Sequence, residues 1–368
     1  MNESGKISRS TFFKSSGVLA GAVMAGGKVQ AVAEENKVSG VPMRRLGKTD
    51  LLIPAVSLGT GPGQDVNVMK SAIAQGMNFL HTSTGYKGGR AISNVAEAIK
   101  GQREKAIIGL KITWEPDDDQ AMNDALEKLG VDSVEIAFFN IHKASEVSDS
   151  KYREGAERWI KTGKFKYIGL TSHNETAECL KAGLDQGFYD ALMPSYSIND
   201  EEAFLPIFER AEKEGVGIVL MKTARGVQGA YEEAVPHYLA TAGVTTINKG
   251  ANSFAEIRQL VEASKVEADP QAGLRIRQSA RLAMNGHCRM CGTCSASCPK
   301  GLQVSDVVRC SDYYLENTQY VDMAFETYRG LARTPVSARC GDCGICERVC
   351  PNGVPVAHHI RRAERALA

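Results

Sequence analysis

Between Val41 and about Lys265, short apolar runs alternate with stretches in which apolar residues recur every three or four positions. The runs fall at 56–59, 79–80, 106–110, 134–139, 167–170, 191–193, 218–221 and 245–247. They are nearly continuous in apolar character, as strands buried on both faces of a parallel sheet must be. A helical stretch follows each of them, at 66–75, 92–100, 120–129, 152–162, 176–186, 201–214, a shorter one ending near Thr241, and 254–263. Gly130, Gly163, Gly187, Gly215 and Gly243 stand just past five of these stretches. A glycine there adopts the left-handed conformation that stops a helix.

Eight strand–helix units over residues 41–266 predict an α/β protein built on a (β/α)8 TIM barrel. The structural alternative is a doubly wound open sheet, but no G-x-G-x-x-G follows the first strand. The segment from Met43 to Ile53 reads as a β-hairpin plugging the barrel floor.

Beyond the barrel the pattern changes. Eight of the ten cysteines lie in two copies of one spacing, Cys288-x2-Cys291-x2-Cys294-x3-Cys298-Pro299 and Cys340-x2-Cys343-x2-Cys346-x3-Cys350-Pro351. This is the bacterial ferredoxin spacing, in which three close thiolates grip one [4Fe–4S] cluster and the fourth reaches the other. One cluster is therefore expected on Cys288, Cys291, Cys294 and Cys350, and the second on Cys340, Cys343, Cys346 and Cys298, in a helical tandem ferredoxin-type domain over 280–368. Zinc would favour separated pairs, and disulfide scaffolds belong to small secreted domains. Cys179 and Cys310 read as small apolar residues, and His358 and His359 as helix surface.

Lys and Arg number 44 against 43 Asp and Glu, a net charge of +1, which argues against a nucleic-acid surface. Apolar residues make up 43% of the chain, enough for a sizeable core, and no apolar run is long enough for an integral membrane span in the mature chain. Residues 1–33 read as a signal peptide. Ser8-Arg9-Ser10-Thr11-Phe12-Phe13-Lys14 precedes a Gly/Ala-rich run and the A-x-A site Ala31-Val32-Ala33. This resembles a twin-arginine (Tat) signal with Ser10 in place of the second arginine. It predicts a periplasmic or exported protein, with an uncleaved tail on a cytoplasmic protein as the alternative.

Catalytic residues of such barrels sit at the C-terminal ends of strands. Those positions hold His81 and Tyr86 after the second strand, Lys111 after the third and His142 after the fourth. Together with Arg45-Leu46-Gly47-Lys48-Thr49-Asp50, the Leu126–His142 segment and Gly163–Ser172, they make the barrel similar to the aldo-keto reductase family. The fused cysteine runs resemble that family's iron–sulfur branch.

The resemblance implies a tetrad of Asp, Tyr, Lys and His. Tyr86 would be the general acid, Lys111 the cation that lowers its pKa, and His142 the group that orients the substrate oxygen. The family's aspartate, which neutralises the lysine, is replaced by His81. Losing that anion predicts a Lys111 that ionises less readily, or a Tyr86 that carries more of the negative charge. It also leaves His81 open to serve as a proton relay. For the cofactor, the resemblance implies contacts from Thr171 and Ser172, a stacking ring at Tyr196, and a phosphate clamp at Lys249 and Arg258. Met193 stands where glutamine is usual, and Glu256 and Leu260 where helper groups are expected.

The expected function is an iron–sulfur oxidoreductase acting on a small carbonyl or hydroxyl compound, with NADP(H) as a possible further cofactor. Its redox partner would be a protein or a quinone-linked carrier. The alternative is a non-enzymatic electron-transfer or binding protein that keeps a degenerate barrel as scaffold.

Overall fold

A computed structural model describes residues 40–227, 230–315, 320–331 and 340–368. The expected signal segment, 1–33, lies outside the described residues. The chain opens with an antiparallel hairpin, β1 (Met43–Arg45) and β2 (Leu52–Pro54), in which Met43 pairs with Pro54. Eight parallel strands follow: β3 (Val56–Gly59), β4 (Phe79–Ser83), β5 (Ile107–Ile112), β6 (Val134–Asn140), β7 (Phe165–Ser172), β8 (Ala191–Pro194), β9 (Gly217–Met221) and β10 (Val244–Lys249). They pair in sequence order, and β10 returns to β3, so the sheet closes into a barrel. The open-sheet alternative is thereby excluded.

Helices α1 (Val66–Ala74), α2 (Arg90–Ile99), α3 (Asp119–Leu129), α4 (Ser150–Lys161), α5 (Thr176–Gln186), α6 (Glu201–Glu214), α7 (Tyr231–Ala240) and α8 (Phe254–Ala263) alternate with the strands. Asp65, Asp118, Asp149 and Ser253 cap α1, α3, α4 and α8 by accepting backbone N–H groups with their side chains. Such caps satisfy donors that the first helical turn leaves without partners. Gly130, Gly187 and Gly215 end α3, α5 and α6 in the left-handed conformation, as the sequence predicts.

The hairpin closes the floor as expected. Leu46 and Ile53 are fully buried with Phe79, Ile136, Phe138 and Val219 inside the barrel. Gly47 makes this plug possible. Its φ of +53° is left-handed, and a Cβ there would collide with the Gly215 carbonyl, to which the adjacent Lys48 N–H donates at 2.8 Å.

One element lies between the two expected domains. Helix α9 (Ala272–Ala283) buries Ala272, Ile276 and Ala280 in the same cluster as the barrel's outer layer. Gly273 packs against the His237 ring of α7, where a Cβ would have no room. The remaining segment is helical: α10 (Thr293–Ala296), α11 (Val304–Leu315), α12 (Val321–Leu331), α13 (Ile345–Arg348) and α14 (Val356–Leu367). It has its own apolar cluster, built on Leu302, Val307, Val308, Cys310, Val356 and Ile360. Cys179 and Cys310 are both buried, in keeping with an apolar role. The surface assignment of His359 needs correction. Its Nδ1 lies 3.1 Å from Ser311 Oγ and 3.3 Å from Asp312 of α11, because α14 turns this face toward α11, while His358 remains exposed.

Candidate active site at the barrel mouth

The C-terminal strand ends line one cavity of about 1060 Å³. His81 comes from β4, Tyr86 from the loop beyond it, Lys111 from β5, and His142 from just past β6. The parallel register brings them together, since His81 pairs with Gly109 and Lys111 with Phe138. The Lys111 ammonium lies 5.9 Å from the centre of the Tyr86 ring, and the His81 and Tyr86 rings are 6.4 Å apart, edge to face. All four sequence-predicted residues therefore share one space. The C-terminal segment also lines that cavity, with Cys288, Arg309, Tyr313, Tyr320 and Met323.

Burial controls the electrostatics. It pushes the Lys111 ammonium down to about 7, helped by the like charges of Arg309 and Lys222 and opposed by Asp306. The expectation that Lys111 ionises less readily holds. The alternative, a Tyr86 that takes up negative charge, does not. Burial, with Tyr313 and Tyr320 beyond it, raises that phenol above its ordinary value. The surroundings of His81 do not favour the proton-relay role. This imidazole is 3% exposed, and burial followed by the Lys111 charge pushes it down to about 3, so it stays neutral through the physiological range.

Several residues missed in the sequence complete the mouth. His173, just past β7, is buried and lines the cavity, and desolvation followed by Arg309 holds its imidazole well below the usual value. Lys222 follows β9 with a left-handed φ of +63°, and its ammonium lies 4.7 Å from the ring centres of both Tyr313 and Tyr320. Non-glycine residues held there are strained, and such strain concentrates at functional sites. Asp306 and Arg309 of α11, 1% and 5% exposed, form a 2.7 Å ion pair, and Asp306 lies 3.7 Å from His142 Nδ1. The sequence did not single out this pair, because α11 carries Ser305, Ser311 and a second acid, Asp312, as well.

The cofactor contacts are brought together only in part. Lys249 lines the cavity, while Arg258 is exposed on α8 and does not line it. Thr171 and Ser172 are buried off the cavity. Ser172 Oγ donates to the Asn174 carbonyl at 2.7 Å, and Thr171 Oγ1 faces the Met221 sulfur at 3.9 Å. Tyr196 is not a stacking platform. Its ring packs with Phe204, Phe208 and Tyr238, and its hydroxyl donates to Glu201 at 3.3 Å. Burying an aromatic ring against three others outweighs leaving it at an open wall. Met193, by contrast, does line the cavity.

The cysteines form two quartets. Cys288, Cys291, Cys294 and Cys350 line one small cavity, and Cys298, Cys340, Cys343 and Cys346 line another. In each, three come from one run and the fourth from the other. The two runs share a backbone. Met290 and Asp342 are left-handed at matching positions, as are Gly292 and Gly344, and the short helices α10 and α13 follow. The Met290 N–H donates to Cys288 Sγ, and the Val354 N–H to Cys350 Sγ, each at 3.4 Å. Turns of this kind, with backbone N–H groups aimed at sulfur, suit a [4Fe–4S] cluster. Among the described residues, no three His, Cys, Asp or Glu side chains stand close enough to hold a single metal ion.

The strands close into an eight-stranded barrel with titratable groups at its C-terminal mouth, and residues 58–235 match the model of the Aldo/keto reductase family. The uncharacterized oxidoreductase YqkF of Bacillus subtilis is 26% identical over 188 residues, a match that spans 45% of this chain and 60% of the relative's length. The aldo-keto reductase of Bacillus halodurans in its holo form superposes with a TM-score of 0.54 at 20% identity, covering 66% of this chain and 96% of that one. A Klebsiella pneumoniae aldo/keto reductase in complex with NADP and acetate gives 0.53 at 17% identity, covering 64% and 94%. At such identities the structural likeness speaks for the fold.

Proposed function

We propose that this protein is an oxidoreductase acting on a small carbonyl or hydroxyl compound at the barrel mouth, with electrons relayed through two [4Fe–4S] clusters held by the cysteine quartets. One observation carries the reading: a single cavity is lined by Tyr86, Lys111, His142 and Cys288. Clusters bound at the quartets would supply one-electron transfer. The chain's own residues would handle the proton and the substrate oxygen. Tyr86 offers a phenolic proton, Lys111 a nearby cation that makes the phenol easier to deprotonate, and His142 a ring that can hold the oxygen. His81, neutral and buried, serves as a polar wall that does not compete for the proton. Residues of the C-terminal segment line the same cavity and narrow its access to solvent.

NADP(H) is the second electron source to weigh. The Klebsiella relative's NADP complex and the position of Lys249 in the cavity support it. Against it stand the burial of Tyr196 among aromatic rings and the outward position of Arg258. Anaerobic addition of NADPH to the reconstituted protein separates the two sources, since bleaching of cluster absorbance would require a nicotinamide site wired to the clusters. Loss of viologen-linked turnover in Tyr86→Phe, with iron content kept, is the expected result for the proposed chemistry. Full turnover in that variant would remove Tyr86 from the chemistry, and absence of turnover in the wild type would favour the scaffold reading instead.

A further inference from the structure

We propose that Asp306, carried into the barrel mouth on α11, is the positioning carboxylate of this site: it orients His142 and supplies the negative charge that position 81 lacks. The inference rests on the oxidoreductase reading above and concerns how its proton-handling groups are held.

The geometry is that of an imidazole bonded at one ring nitrogen and faced by a buried carboxylate at the other. Asn140 Nδ2 lies 2.7 Å from His142 Nε2, and Asp306 Oδ2 lies 3.7 Å from Nδ1. The Asn140 amide engages Nε2, while Nδ1 makes no hydrogen bond and faces the carboxylate across a short gap. A carboxylate close behind a histidine favours one ring orientation through its charge, and a small approach would close the pair into the hydrogen bond found in many sites. Here the carboxylate comes from a helix more than one hundred and sixty residues further along the chain.

Charge makes the same point. Among the described residues no carboxylate lies within salt-bridge distance of Lys111. Of the charges acting on it, those of Arg309 and Lys222 oppose its protonation and that of Asp306 favours it. The effect is mutual. Burial alone would push the Asp306 carboxyl up, but Arg309, His142 and Lys111 together hold it below its ordinary value. Every element around the pair contributes a facing group: Arg309 from α11, Lys111 from β5, and His142, His173 and Lys222 from the loops after β6, β7 and β9. A buried ion pair gives little net stability over an apolar pair of similar volume. Its position against the mouth is thus better explained by the site than by the fold.

Lys111 can be followed without reference to turnover, by competitive labelling with acetic anhydride across the neutral and alkaline range, read by mass spectrometry. In Asp306→Asn the midpoint of labelling should fall by about one pH unit, while Asp306→Glu keeps it near the wild-type value. If the orphaned Arg309 keeps Asp306→Asn from folding, Arg309→Met is compared with the double variant Asp306→Asn/Arg309→Met, and the lower midpoint should belong to the double. Equal midpoints in a folded pair overturn the proposal. That outcome, combined with lost turnover in Tyr86→Phe, would leave the oxidoreductase reading intact. A shifted midpoint with undiminished Tyr86→Phe turnover would instead keep Asp306 as the charge partner and remove the proposed chemistry.

Discussion

The hydroxyl of Ser305 donates to Asn174 Oδ1 at 2.8 Å, a buried bond between helix α11 and the loop that follows β7. The same Asn174 oxygen accepts the Glu175 N–H at 3.1 Å, and Gly292 packs so close to this loop that a Cβ would collide with it. The barrel and the cysteine-bearing segment are therefore joined by specific polar contacts. Ser305→Ala should cost about 1–2 kcal/mol, because it removes a donor from a buried oxygen. Chemical denaturation of the wild type and the variant measures it, and an unchanged midpoint would show that the junction tolerates the loss.

Lys111 gives a stability prediction with a defined sign. Its folded-state value of about 7 lies below the 10.5 of the unfolded chain. Between those values the unfolded state holds more protons, so this residue's contribution to stability rises with pH and is least favourable below about 7. Lys111→Met removes that penalty. The variant should gain thermal stability over the wild type at pH values below neutrality, and the gain should shrink toward alkaline pH. Turnover should be abolished throughout. Melting curves at several pH values test the first part, and a constant difference across them would contradict the buried-ammonium assignment.

If turnover needs the protonated Lys111, activity should fall as pH rises through about 7. His81→Asp would place an anion beside that ammonium and move the alkaline limb upward by one unit or more, on the order expected for an opposite charge at close range. The price is lost packing against Phe138, whose ring centre lies 5.4 Å from that of His81. The limb is read from pH–rate profiles with both NADPH and a viologen dye. A limb that stays in place would mean that Lys111 ionisation does not govern the reaction.

The quartets predict a crossed pattern of damage. About eight irons per chain are expected after anaerobic reconstitution, from two four-iron clusters. Cys350→Ser should harm the site shared with Cys288, Cys291 and Cys294, the residues with which it lines a cavity, rather than that of its own run. Iron analysis with EPR of each reduced variant distinguishes the two. Cys179→Ala should leave iron content unchanged, because its buried thiol bonds to the Asn174 carbonyl and lines neither quartet cavity.

Export is proposed from the first 33 residues alone. Ser10→Arg should raise the exported fraction, with cleavage after Ala33. Fractionation of cells producing each form tests it. Uncleaved cytoplasmic protein in both would speak for the tail reading.

The barrel was legible because each strand is buried on both faces and so reads as an unbroken apolar run. Even the error at β7 is instructive. The sequence suggested 167–170, but the strand runs Phe165–Ser172, because its ends pair with Val134 and Pro194 and pairing extends past the apolar core. The cysteine runs were legible because their chemistry is written in local spacing. Asp306 and Arg309 were not, since their role depends on a long-range approach to His142 that no local pattern records. Tyr196 was misjudged for a related reason: a position matched along the chain does not say toward which side the ring turns, and Phe204, Phe208 and Tyr238 decide that in three dimensions.

Helix α9 bears on how the chain can be divided. Ile276 and Ala280 belong to the core of the barrel's outer layer, although they stand immediately before the cysteine runs. A cut placed where the barrel's own repeat ends, near Val266, would strip these side chains from that core and expose the face of α7 that they cover. A cut after Met284 would retain them. The recombination boundary between the two halves thus falls inside a stretch that looks like a linker on paper, and a barrel transplanted without α9 would arrive as an incomplete module.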